Sequence, residues 1–212
     1  CPRQSENSRS CARTLLTIGA ALAKNVGMSI PDIMVLSSDR RWLEAVQFAN
    51  ETGEELVRRV DWGQLQDTAT LTGTGAAVAH ALPDDFARLN QGVAVTNASG
   101  GIVRPLTRQE WSNLTMVEGT PRYFLLEQNT IQFWPFLANA VTATAQYQST
   151  EWCSAGAEFM ADTDTVLVDE GLFIKGLIVR WRRQKQMDVA DYEAEYEAAM
   201  SDFARFNDRT RF

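Results

Sequence analysis

The spacing of apolar residues changes twice along this chain, and that change limits the folds open to it. From Ala12 to Val60 they recur every three or four positions, from Thr68 to Thr150 the pattern shortens toward alternation, and beyond Asp164 the helical spacing returns. A β region with helical segments on both sides predicts an α+β fold. Two N-terminal and two C-terminal helices form its core, and a small antiparallel β-sheet region is inserted between them. At 212 residues the chain is long enough to bury a real core as a single domain. Its expected parts are a flexible tail over 1–11, helices over 12–62, mainly β structure over 67–150, helices over 164–207 and a C-terminal tail over 208–212.

Leu15, Ile18, Ala21, Leu22 and Val26 make the stripe of the first helix, with Gly27 and Pro31 to end it. Ser37 or Ser38 can cap the second, whose buried stripe is Trp42, Leu43, Val46, Ala49, Leu56, Val57 and Val60. Glu44, Glu51, Glu54, Glu55, Arg58 and Arg59 cover its outer face, and Gly53 interrupts it at a cost of about 1 kcal/mol against Ala. Strands are expected at Thr68–Thr72, with Ala76–Leu82 returning as its partner, at Val93–Val95 and Gly101–Val103, and at Arg122–Glu127, Thr130–Trp134 and Val141–Thr150. Thr107 and Glu110 have capping-box spacing for a short helix. Asp164 or Thr165 opens the third long helix, and Asp188 caps the last.

Composition narrows function. A formal charge of −7 and a pI of about 4.8 argue against a protein that grips nucleic acid over its whole surface. No apolar run approaches the ~20 residues that span a bilayer. Cys1, Cys11 and Cys153 form neither a C-x-x-C pair nor a disulfide framework, and fit a reduced, cytosolic folding compartment. With one histidine, His80, a His/Cys metal cluster is almost excluded, and no cofactor is expected. The chain has no G-x-S-x-G elbow, and its Gly73-Thr74-Gly75 and Gly100-Gly101 spots lack the Gly-Lys-Ser/Thr ending of a phosphate loop. The carboxylate pairs Asp84-Asp85 and Asp162-x-Asp164 fit turns and caps. No catalytic residue is named, and the chain is not expected to be an enzyme.

The C-terminal third separates its charges. Lys175, Arg180, Arg182, Arg183 and Lys185 form a block without acids, and Asp188, Asp191, Glu193, Glu195, Glu197 and Asp202 follow without a base. Two solvated helix faces that pair with each other would explain this, at about 0–1 kcal/mol per exposed pair. So would a head-to-tail contact in which Arg180, Arg182, Arg183 and Lys185 meet Asp188, Asp191 and Glu195 of the next subunit. DNA contact by the arginines is a third reading. Val189, Tyr192, Tyr196, Ala199, Phe203 and Phe206 share one helical face, and Phe203 to Phe212 mixes three Arg with three Phe, the side chains of interface hot spots.

Six segments, in this order, resemble one protein family. They are L-L-T-I-G-A-A-L-A-K-N-V-G from Leu15, R-W-L-E-A-V-Q-F-A-N-E-T-G-E-E-L-V-R-R-V-D-W ending at Trp62, A-L-P-D-D-F-A-R-L from Ala81, P-L-T-R-Q-E-W from Pro105, T-P-R-Y-F with its strand pair, and D-T-D-T-V-L-V-D-E-G-L from Asp162. Together they resemble the head-to-tail adaptor (head-completion or connector) proteins of tailed phages. His80 departs from the pattern, in which Tyr precedes the Leu-Pro.

The resemblance implies a virion protein made in the host cytoplasm. It implies a homo-oligomeric ring of about twelve subunits beneath the portal protein. That ring extends the channel for double-stranded DNA, which passes without sequence-specific binding, and it docks a downstream tail or stopper protein. Carried onto this chain, portal contact falls on Phe203, Arg205, Phe206, Arg209, Arg211 and Phe212, and the β segments between Thr68 and Thr150 face the tail. No membrane is involved. The competing readings are another ring of the same interface, a stopper or tail-completion protein, and a bacterial lipoprotein with a lipidated Cys1.

Overall fold

The computed structural model describes residues 14–26, 40–92 and 94–209. They fall into two compact units: residues 61–150 form one, and the flanking residues on both sides form the other. The secondary structure is α+β.

The helical unit contains α1 (Leu15–Val26), α2 (Arg40–Arg59), α4 (Glu170–Gln184) and α5 (Ala190–Arg209). α4 is its centre, packed on α1, α2 and α5. Its sequence explains this: Leu172, Phe173, Gly176, Leu177, Ile178, Val179 and Trp181 are all buried, an apolar surface too wide for one partner to cover. Gly176 lets the neighbours close in, since a Cβ there would meet Thr52 Cγ2 at 2.8 Å and the Tyr196 ring at 3.1 Å. Asp169 caps α4 by accepting from the Leu172 amide at 2.7 Å. Residues 164–168, expected as its first turn, are instead an extended return in which Val166 bridges Cys153 and Thr165 bridges Thr14. The Asp164 carboxylate explains the difference, because it closes a loop by accepting from the amides of Met160 and Ala161. The Asp188 carboxylate, expected as the cap of α5, accepts from the first amide of the helix, Ala190, at 3.3 Å, while the carbonyl of the intervening Val189 accepts the first helical bond from Glu193.

An aromatic cluster fills the space beneath α2. Trp152 stacks on Phe173 at 5.5 Å and meets Phe159 edge-on at 4.8 Å. Gly53 of α2 lies directly over the Trp152 ring, so the weak point in the helix is where a large side chain approaches. Ala45, Ala49, Leu56 and Val57 of the expected stripe and its surroundings are buried, but Leu43 is 57% exposed. The expected caps at Ser37 and Ser38, the stop at Gly27 and Pro31, and the Trp42 side chain lie outside the described residues.

In the β unit two four-stranded sheets share one apolar core. β8 (Thr142–Ser149) is central in the first, with β1 (Gln66–Thr72) on one side and β3 (Phe86–Leu89) and β4 (Val95–Asn97) on the other, all antiparallel. The second has the order β2 (His80–Ala81), β7 (Thr130–Trp134), β6 (Tyr123–Glu127), β5 (Arg104–Pro105). One pairing expectation is corrected. The strand after Gly73-Thr74-Gly75 is only two residues long and pairs with β7 rather than returning on β1. β7 and β8, adjacent in sequence, lie in different sheets. The short helix α3 (Arg108–Ser112) has the expected Thr107/Glu110 capping box. At the unit's entry, fully buried Gln148 accepts from the Trp62 amide at 2.9 Å and donates to Asn90 at 3.0 Å, so both ends of its amide are paired.

Gly53→Ala tests the aromatic floor. Helix propensity alone would favour Ala by about 1 kcal/mol. The new methyl, however, overlaps the closely packed Trp152 ring, and overpacking costs about 1–3 kcal/mol. A net loss of stability is expected by chemical denaturation, and a gain would contradict the packing described.

Candidate functional site

The charged residues singled out in the C-terminal third converge on the outer surface of the helical unit. Arg180 of α4 reaches α2, donating from Nη1 to Glu51 Oε2 at 3.1 Å and from Nη2 to Glu55 Oε2 at 2.6 Å and the Glu51 carbonyl at 3.3 Å. Arg59 of α2 joins the same Glu55 at 2.9 Å and makes a bidentate contact with Glu197 of α5 at 2.8 and 2.5 Å. The five side chains alternate in sign and tie three helices together. Fork-to-carboxylate geometry adds direction to the attraction. Arg59 is held above its ordinary pKa first by the Glu197 carboxylate, and Glu197 below its own by Arg59. Tyr196 lies under this network with the Arg59 guanidinium 5.9 Å from its ring, and burial pushes its hydroxyl pKa up.

The remaining bases also have partners within the chain. Lys175 pairs with Glu195 at 2.7 Å, Arg183 with Glu193 at 2.7 Å, and Lys185 with Glu44 at 2.5 Å. Arg182 donates to the Asp188 carbonyl at 2.7 Å and covers the Tyr192 ring at 4.2 Å. Asp191 is exposed. The two charge blocks therefore face each other between α4 and α5, and α2 takes a share of the bases. Periodicity does not reveal that share, because Arg180 and Glu51 lie 129 positions apart.

Among the proposed portal residues, Phe203 is half-buried and Arg205 is exposed, 3.9 Å from Asp202. Phe206 and Arg209 belong to the last turns of α5, but their side chains lie outside the described residues, as do Arg211 and Phe212 altogether.

The groups weighed for chemistry have structural surroundings. His80 pairs with Ile131 across β2 and β7, its ring 5.7 Å from Phe133, and burial lowers its pKa. Asp85 accepts from the Tyr147 hydroxyl at 2.9 Å. Cys153 is buried, which raises its thiol pKa, and it donates to the Gly156 and Glu158 carbonyls. Among the described residues no three His, Cys, Asp or Glu side chains group to hold a metal ion, and no helix is long and apolar enough to cross a membrane. Exposed apolar side chains occur in both units, Leu43, Met160 and Leu167 in the helical one and Ile102, Met116, Val117 and Leu126 in the β one.

Arg180→Met removes the base that Glu51 and Glu55 share and leaves Glu55 only Arg59; with both carboxylates part-exposed, the chain is expected to lose about 1 kcal/mol of unfolding free energy, and no change would mean the network is solvated. For His80 the folded pKa lies below 6.5, so the unfolded chain binds its proton first as pH falls. Stability is complete above about pH 6.5 and declines below it, through the folded pKa. His80→Gln should remove that part of the slope in urea titrations between pH 7 and 5, and an unchanged slope would assign it elsewhere.

The family model described as SU10 adaptor protein matches residues 14–211. No curated protein matches the chain.

Proposed function

The chain belongs to the SU10 adaptor family of phage head-tail proteins, and from that premise we propose that it forms a ring between the capsid portal and the tail. The observation that carries this reading is the extent of the match, which takes in both the helical and the β unit rather than one of them. The role is structural: it binds and positions other proteins. The virion is its location, and about twelve copies close the ring by head-to-tail contacts.

In this ring the C-terminal segment meets the portal. Arg205 is exposed near the end of α5, which continues through Phe206 to Arg209, and Arg211 and Phe212 follow in the sequence, an Arg and Phe mixture suited to anchoring in a partner's pockets. The charged belt of α4 and α5 meets the neighbouring subunit. Its internal pairs leave much of their surface available, since Arg183 is 62% and Glu195 63% exposed. A side chain paired within its own subunit can be shared with a neighbour at little cost, because an exposed pair is worth only about 0–1 kcal/mol. The β unit carries the surface for the next tail component. Double-stranded DNA passes through the lumen, and a net charge of −7 disfavours its retention, since each phosphate neutralised by Lys or Arg adds affinity.

The mass of the purified chain mixed with its particle's portal ring tests the reading. A complex holding a closed set of about twelve copies is expected. A chain ending at Arg205 should keep its helical content and lose that complex. Full-length protein that ignores the portal but binds a ring further down the tail would replace the adaptor reading with a stopper or tail-completion role.

A further inference from the structure

Among the described residues, the sheets of the β unit are blunted at every edge but one. β2 and β5 are two residues long, and β5 ends in Pro105. On the far side of β8, β3 has four residues and a register shift between Phe86 and Arg88, while β4 has three and is bridged by Ile102. Such devices keep a row of unpaired amides from templating another strand. β1 has none of them. It runs seven residues in unbroken register with β8, contains no Pro or Gly, and carries one charge, Asp67.

Two hydrogen bonds fix which backbone groups of β1 face outward. The Gly73 amide donates to the Val141 carbonyl at 2.7 Å, so the odd-numbered positions exchange bonds with β8. The Thr68 amide instead donates to the Asp67 carboxylate at 2.6 Å, as an amide on the open side can. Thr68, Thr70 and Thr72 therefore turn their amides and carbonyls away from the sheet. All three are exposed, and among the described residues no backbone group pairs with that side.

We propose that this edge pairs with β1 of a second copy of the chain, antiparallel, with Thr70 opposite Thr70. The occupant follows from the strand's own sequence, because Thr68-Ala69-Thr70-Leu71-Thr72 is nearly the same in both directions. Centred on Thr70, the pairing sets Thr68 against Thr72 on the exposed face, a favourable cross-strand combination. On the buried face it sets Ala69 against Leu71, so the two apolar cores become continuous. Asp67 falls opposite Gly73 at either end, and the strand's only charge never meets its like. The contact uses the same patch twice and closes on itself. It holds free subunits as pairs with the edge covered, and it does not depend on the ring reading.

Sedimentation velocity of the full chain over a concentration series tests the proposal. The mass is expected to rise from one chain to two. Thr70→Pro removes an outward amide that β8 does not use, a position where an edge strand tolerates Pro, and should leave a single chain at all concentrations. If that variant does not fold, Thr70→Lys replaces it, placing like charges against each other across the two-fold axis. With Cys1 and Cys11 changed to Ser, Thr70→Cys should be joined chain to chain by a short thiol crosslinker far more than Ser112→Cys on exposed α3. Three results would overturn the pairing: a single chain throughout, a dimer unaffected by both Thr70 variants, or equal crosslinking at the two cysteines. Failure to assemble on the portal would leave it untouched.

Discussion

The helical unit depends on one buried helix. α4 is apolar around most of its circumference, and a surface that wide must be covered by several partners at once. α1, α2 and α5 supply the cover, and Gly176 sets how closely two of them approach. The bases of α4 can then lie only along the narrow lines where its neighbours meet solvent. Each of those lines has carboxylates opposite: Glu44, Glu51 and Glu55 on α2, Glu193 and Glu195 on α5. The apolar contacts supply the stabilisation, and the ion pairs choose the rotation of each helix about its axis.

The β unit is organised by a different constraint. Its sheets are small, and a fully paired buried amide, Gln148, fixes the entering chain at Trp62 to the loop at Asn90. A buried amide with a missing partner costs more than a satisfied one contributes, so this arrangement discriminates against alternative registers. The Asp61 carboxylate adds to it by accepting from Arg88 and from the Gln91 amide at 3.1 Å. The amides of Trp62, Asn90 and Gln91 at the entry all have acceptors, in contrast to the outer side of β1.

Much of the fold was legible in the sequence, where local rules decide. Thr107 and Glu110 form the capping box their spacing implies, the strands near 122–127, 130–134 and 141–150 are present, and the helical stripes bury Ile18, Leu22, Leu56 and Tyr196. What was not legible depends on distance along the chain. The strand after Gly75 was assigned to the wrong partner, because a segment as short as His80–Ala81 carries no signal of which sheet it joins. Asp164 looked like a helix cap and is a loop clamp, a choice made by where the return strand bridges Cys153. Leu43 fits a buried stripe by spacing and is exposed. The charge blocks were visible, but the participation of α2 was not, since Arg59 and Glu197 lie 138 positions apart.

The chain belongs to a family of phage head-tail adaptor proteins, and its described residues form two compact units with charges laced along helix seams and apolar side chains left outside. Its proposed place between portal and tail is tested by electron cryomicroscopy of the head-tail vertex at a resolution that separates helices. The helical and β units are expected to repeat around the channel as a closed ring. A vertex fully explained by other chains, with this one absent, would contradict it.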